Sequence, residues 1–260
     1  MTDLSMTEIW DDTRRFVSRE LGLLLPLGFA TFGMGTLLLS LAVPEHPAGK
    51  QPELGMWMLW MIPAGLMVLT GYLAMSIIAL RSRITVAEAI EGATKLLPRA
   101  IILMLMVVSL ITFGALVMSV LAGIVSLAMG LGQQGAVMLS VMLMVPPLAW
   151  LSVRLAVLWP VLADQRGIAT GSIARAFLLT KGHGWRIAAL LFLNMVMYTM
   201  LSGILELAGG SVLMLVARFV GRPEMGSTLV SILLAAFNAI YAVFWSVMLV
   251  RLYEKLARQA

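Results

Sequence analysis

The chain has 260 residues, 61% of them hydrophobic and only 12% charged, with a net charge of +5. A soluble domain carries roughly 25% charged residues, and a mean hydropathy of +0.99 leaves far more apolar surface than a water-soluble core of this size can bury. Several runs exceed the ~18 to 20 apolar residues that cross a ~30 Å hydrocarbon layer, so the composition implies a polytopic membrane protein and excludes a soluble one.

Cysteine is absent, which rules out disulfides and thiolate metal sites. The basic residues flank hydrophobic runs, where they set orientation in a bilayer and do not mark nucleic-acid binding. The first twenty residues do not read as a signal peptide, because charges of both signs precede the first apolar run.

Ser5-Met6-Thr7-Glu8 fits a capping box. Behind it Met6, Ile9, Trp10, Phe16 and Val17 recur at helical spacing. This predicts an interfacial helix with Trp10 at headgroup level. A first span follows at about 21–43, then a polar loop over 44–55 rich in proline. The second span, about 56–80, opens on Trp57 and Trp60, as an aromatic belt does.

Thr85-Val86-Ala87-Glu88 repeats the capping box and starts a second amphipathic helix. Its apolar face is predicted as Val86, Ile90, Ala93 and Leu97, and Pro98 is expected to end it. The third span, about 101–129, carries Ala115, Ser119 and Gly123 at four-residue intervals, a face suited to close helix packing. Gly130–Gly135 reads as a tight turn. The fourth span, about 136–163, is expected to be interrupted at Pro146-Pro147 and kinked again at Pro160. A third amphipathic helix begins near Ala169 or Thr170, with Ile173, Ala176 and Phe177 on one side, and Gly182 and Gly184 break it. The fifth span is placed at about 185–208, Gly209-Gly210 read as a turn after it, a semi-polar connection runs through Gly226, and the sixth span covers about 228–252 before a basic tail.

The fold class expected is therefore an all-α polytopic membrane protein. It has six transmembrane helices, three cytoplasmic amphipathic helices, and three tandem parallel repeats of amphipathic helix plus span pair. The repeats cover about 4–80, 84–163 and 168–254 of one membrane domain, 1–260. Lys and Arg favour one side. Arg14, Arg15, Arg19, Arg81, Arg83, Lys95, Arg99, Arg166, Arg175, Lys181, Arg186, Arg251, Lys255 and Arg258 lie on it, against Lys50, Arg218 and Arg222 on the other. By the positive-inside rule both termini are cytoplasmic.

Catalytic signals are poor. His46 and His183 fall on opposite sides of the bilayer, and neither a metalloprotease helix, a nucleophile elbow nor a phosphate loop is present. No enzyme activity and no cofactor is expected. Two ionisable residues lie in apolar surroundings. Arg154, ten residues before Asp164, is read as a snorkelling anchor or lipid-phosphate contact, with a transport role as the alternative. Glu206 is read as a solvated carboxylate near the outer boundary. Asn194, Tyr198, Asn238 and Tyr241 are expected to hydrogen-bond between the last two spans. The 21 methionines suit pliable packing and lack copper-ligand spacing.

The stretch Val153–Arg186 joins Arg154, Pro160, Asp164, Ala176, Lys181, Gly182, Trp185 and Arg186 in one pattern. It resembles the membrane domain found beside glycerophosphoryl diester phosphodiesterases and the standalone YciC-like inner-membrane proteins. Glu8-Ile9-Trp10 before a span fits the same family's opening. The resemblance implies a six-span, non-catalytic protein of a bacterial inner membrane, since the phosphodiesterase barrel and its catalytic positions are missing. Arg154, Asp164, Lys181, Trp185 and Arg186 are then the candidate contacts for a lipid or ligand. Anionic phospholipid is the expected partner, with a membrane-protein partner or a homo-oligomer left open and nucleic acid excluded. Three functions are compatible with this reading: lipid or partner engagement supporting envelope homeostasis, a transporter-like module around Arg154, and self-immunity against a membrane-active peptide.

Overall fold

The computed structural model describes residues 5–43, 55–81, 84–164, 169–222 and 224–259. His46, Lys50, Arg83 and Arg166 lie outside them. Every regular element among the described residues is helical. Six helices are long and apolar enough to span a membrane: α1 (Met6–Ala42), α2 (Met56–Leu80), α3 (Val86–Ala128), α4 (Gln133–Asp164), α6 (Gly184–Phe219) and α7 (Met225–Gln259). The short α5 (Ala169–Thr180) lies between α4 and α6.

The helices start where local chemistry dictates. Thr85 and Glu88 exchange side-chain and backbone hydrogen bonds in a complete capping box. At Ser5 only half of the expected box forms: the hydroxyl accepts from the Glu8 amide at 3.4 Å, while the Glu8 carboxylate accepts from Lys255 Nζ at 2.6 Å. A charged partner on α7 offers Glu8 more than its own N-cap amide does. Gly130 ends α3 at φ +66°. The Leu131 amide reaches Ser126 O at 2.9 Å and the Gly130 amide reaches Leu127 O at 3.3 Å, the paired bonds of a glycine-terminated helix.

Several breaks expected from proline and glycine do not occur. Pro98 does not end its helix; α3 runs unbroken for 43 residues, about 65 Å at 1.5 Å per residue. One missing N–H costs a single bond, and the turns on either side, packed on α2 through small residues, carry the helix past it. The face they pack is Ala89, Ala93, Ala100 and Leu103, all fully buried, while Ile90 is left exposed. Ala93 belongs to the predicted face and Val86 and Leu97 pack against the core beside it; Ile90 alone departs from it, and the small Ala89 is buried in its place where α3 approaches α2. Pro146-Pro147 also lie within unbroken helix. The break in α4 falls instead at Ala156-Val157. Pro160 has no N–H for the Ala156 carbonyl and its ring crowds that oxygen, so the distortion appears four residues upstream of it.

Gly209-Gly210 likewise leave α6 helical as far as Phe219, and the predicted loop shrinks. A Cβ on Gly209 would lie 2.8 Å from Leu233 of α7: the glycines serve close approach there, not a turn. In the second half of α3, Ala122 and Ser126 are buried and Gly123 meets nothing within 4 Å, although Ser119 does pair with Ser140 of α4 at 3.2 Å. The C-terminal basic tail is the last part of α7 and is helical.

α1, α2 and α7 form the core of the bundle. In their most apolar stretches 39%, 50% and 39% is buried, against 6% in each of α3, α4 and α6. The latter faces therefore present continuous apolar surface that hydrocarbon covers well and water does not. Gly28 lets α1 cross α7 closely, since a Cβ there would sit 2.4 Å from Val243 Cγ2. A backbone break at Glu20 (φ −102°, ψ 17°) separates the charged first turns of α1 from its apolar remainder.

Candidate functional site

The sequence-predicted contact residues gather at one end of the bundle, where the close of α4, α5, the start of α6 and the last turns of α7 meet. Asp164 ends α4, and its Oδ2 accepts a 2.5 Å hydrogen bond from the Tyr253 hydroxyl of α7. Arg175 of α5 reaches the same hydroxyl through both its charge and a hydrogen bond. Three helices are thus joined by one acid, one phenol and one guanidinium. The Tyr253 ring itself is 3% exposed, so its hydroxyl must find a partner on reaching the surface.

Beside this clasp, Arg154 lies over the ring of Trp150, with 5.6 Å from Cζ to the centroid. Trp150 in turn meets Phe177 of α5 edge-on at 5.5 Å. Arg154 forms no ion pair with Asp164 or any other carboxylate among the described residues. The groove that Trp150 and Leu151 help to line is apolar, formed with Leu110, Gly114 and Pro147. Lys181, Trp185 and Arg186 stand on the exposed rim, Trp185 at 86%. Gly182 turns the chain between α5 and α6 at φ +87°, a conformation that costs other residues roughly 1 to 2 kcal/mol.

The remaining polar candidates lie along the α6–α7 contact. Tyr198 donates to Asn238 Oδ1 at 2.9 Å, and Tyr241 donates to the Asn194 carbonyl at 2.8 Å and to its Oδ1 at 2.5 Å. With Phe237 the two tyrosines form an aromatic cluster at 5.1 to 5.9 Å. These two crossed pairs fix the register of α6 on α7. Glu206 is not part of them: it lies exposed on a π-helical turn, Leu205–Gly209.

Tyr253 was not legible as a site residue. It sits 89 positions from Asp164, and nothing local to either residue announces the pair. Among the described residues no three His, Asp or Glu side chains group closely enough to hold a metal.

Fold and site together define a multi-pass membrane protein with a polar clasp and a basic, tryptophan-bearing rim at one end. Comparison with protein-family models, with curated proteins and with solved structures finds no match for this chain.

Proposed function

We propose that this chain is a non-catalytic protein of a bacterial inner membrane whose rim engages anionic phospholipid, in support of envelope homeostasis or of a neighbouring transport or lipid system. The observation that carries the reading is the exposed Trp185 between exposed Lys181 and Arg186. A large indole in water is costly, whereas at headgroup level its ring lies among glycerol and acyl carbons and its N–H meets phosphate or water. Arg154, held on Trp150 and in no ion pair among the described residues, presents its guanidinium at the same end. The likeness of Val153–Arg186 to YciC-like inner-membrane proteins supports the same view. So does the distribution of Lys and Arg, which by the positive-inside rule favours a cytoplasmic side for both termini, the three amphipathic segments and this rim. Three parallel repeats belong to the reading too, each beginning at that face with an amphipathic segment.

The test is native mass spectrometry of the purified chain and of Arg154→Lys and Arg154→Ala. A point-charge contact predicts that Lys retains most of the bound phosphatidylglycerol and that Ala loses it, because lysine also reaches a phosphate. A folded Lys variant that loses the lipid as completely as Ala refutes the assignment.

A further inference from the structure

A second basic cluster lies where the first turns of α1 meet the last turns of α7, remote from the α4–α5–α6 corner in sequence. Phe16 is at its centre. Arg251 Cζ lies 4.6 Å from the Phe16 centroid and Arg19 Cζ 5.7 Å from it, so two guanidiniums share one ring. The Arg251 side chain is 19% exposed. Its Nη1 pairs with Glu254 at 2.6 Å, while its Nε is buried without a hydrogen-bond partner. An unpaired buried donor on a cation is costly, and native proteins rarely tolerate one without a ligand or water to satisfy it.

The space beside these groups is large enough for a headgroup. One cavity of about 520 Å³ is lined by the cations Arg15, Arg19, Arg251, Lys255 and Arg258, with only Asp12 and Glu254 as acids. A second, of about 540 Å³, shares Phe16, Arg19, Arg251 and Glu254 with it, and adds Arg81, Glu20 and an apolar wall of Leu23, Ile78 and Leu80. Arg15 is committed to Asp12, Arg19 to Glu20 and Lys255 to Glu8. Arg81 and Arg258 form no ion pair among the described residues, so the cluster keeps a positive excess. Guanidiniums converging on one space suit the oxygens of a phosphate, which each fork can bind through two N–H groups.

We infer that this double cavity is a phosphate-binding site, and that its occupant is the headgroup of an anionic phospholipid. The apolar wall decides between a lipid and a free phosphate ester. Leu23, Ile78 and Leu80 lie at the junction of the charged turns with the apolar bodies of α1 and α2, where the acyl chains of a lipid would begin. The inference rests on the proposed orientation of this end at a headgroup layer, but it concerns residues that the Arg154 rim does not use.

The full chain, purified in detergent, is titrated separately with phosphatidylglycerol, phosphatidylcholine and glycerol 1-phosphate and read by native mass spectrometry. Arg251→Gln should weaken the tightest phosphatidylglycerol association by about tenfold, the loss of charge-assisted hydrogen bonds to one anion, and leave phosphatidylcholine unchanged. Because Arg251 also packs on Phe16, the double variant Arg81→Gln/Arg258→Gln is measured beside it. That variant breaks no ion pair among the described residues and should weaken the same association several-fold. Glycerol 1-phosphate binding that the same variants abolish, without selective lipid retention, supports the phosphate site with a soluble occupant. Phosphatidylglycerol binding unchanged in both variants, or phosphatidylcholine retained equally well, overturns the inference. If Arg154→Ala loses the lipid and the cavity variants do not, only this inference fails; the opposite pattern removes the Arg154 rim and leaves the cavity standing.

Discussion

Replacing Tyr253 by Phe removes one oxygen and leaves the ring in place, which isolates the clasp between α4, α5 and α7. Tyr253 is 3% exposed and its hydroxyl gives Asp164 a 2.5 Å hydrogen bond. A hydrogen bond to a charged group contributes about 1.5 to 3 kcal/mol. Asp164 is exposed, so water can replace part of what the carboxylate loses, and the expected cost is at the lower end, about 1.5 kcal/mol. Arg175 also loses an acceptor, which works against complete recovery. The assay is equilibrium unfolding in mixed micelles of mild detergent and dodecyl sulfate. It is run as a double-mutant cycle with Tyr253→Phe, Asp164→Ala and the pair. The cycle removes the separate effects of each truncation and should return a coupling of about 1 kcal/mol or more. A coupling indistinguishable from zero would show that the two groups do not stabilise one another, and the clasp would lose its role in joining the helices.

Two further outcomes are expected. Gly28→Val places a Cβ 2.4 Å from Val243 Cγ2 and 3.5 Å from the Ala239 carbonyl, so unfolding in the same micelles should show a loss of about 1 to 3 kcal/mol; Gly114→Ala, with nothing within 4 Å of its Cβ, serves as the neutral control. The chain has no cysteine, so single cysteines report topology directly. Those replacing Lys50, Gly132 and Arg222 should react with an impermeant reagent on intact spheroplasts and those replacing Arg83, Arg175 and Gln259 should not, and the reverse pattern would overturn the orientation.

Much of the fold was legible because its determinants are local or set by the solvent. The six membrane-spanning helices follow from run length and hydropathy, since the bilayer demands internal satisfaction of every backbone group. The Thr85 box and the Gly130 turn follow from bonds closed within five residues. Local reasoning failed where a neighbouring helix outweighed it. Pro98 and Gly209-Gly210 read as breakers, yet packing against α2 and α7 holds the chain helical through them. On the packed face of α3 only Ile90 was misplaced, among Val86, Ala93 and Leu97: Ala89 is buried instead because α2 approaches closely, a fact carried by α2 and not by α3.

Of the candidate site, composition and spacing revealed the residue types at the rim, Arg154, Lys181, Trp185 and Arg186, but not their partners. The amino-acid sequence by itself determined that this is a membrane protein, how many apolar helices it has and where most of them begin, because hydropathy and capping act over one helix at a time. Only the tertiary structure decided that Asp164 meets Tyr253 across 89 positions and that Glu8 meets Lys255 across 247. It alone brought Arg251 of α7 to the same Phe16 ring as Arg19 of α1. Such pairs depend on which helices cross and at what register, and side-chain packing between distant segments sets both.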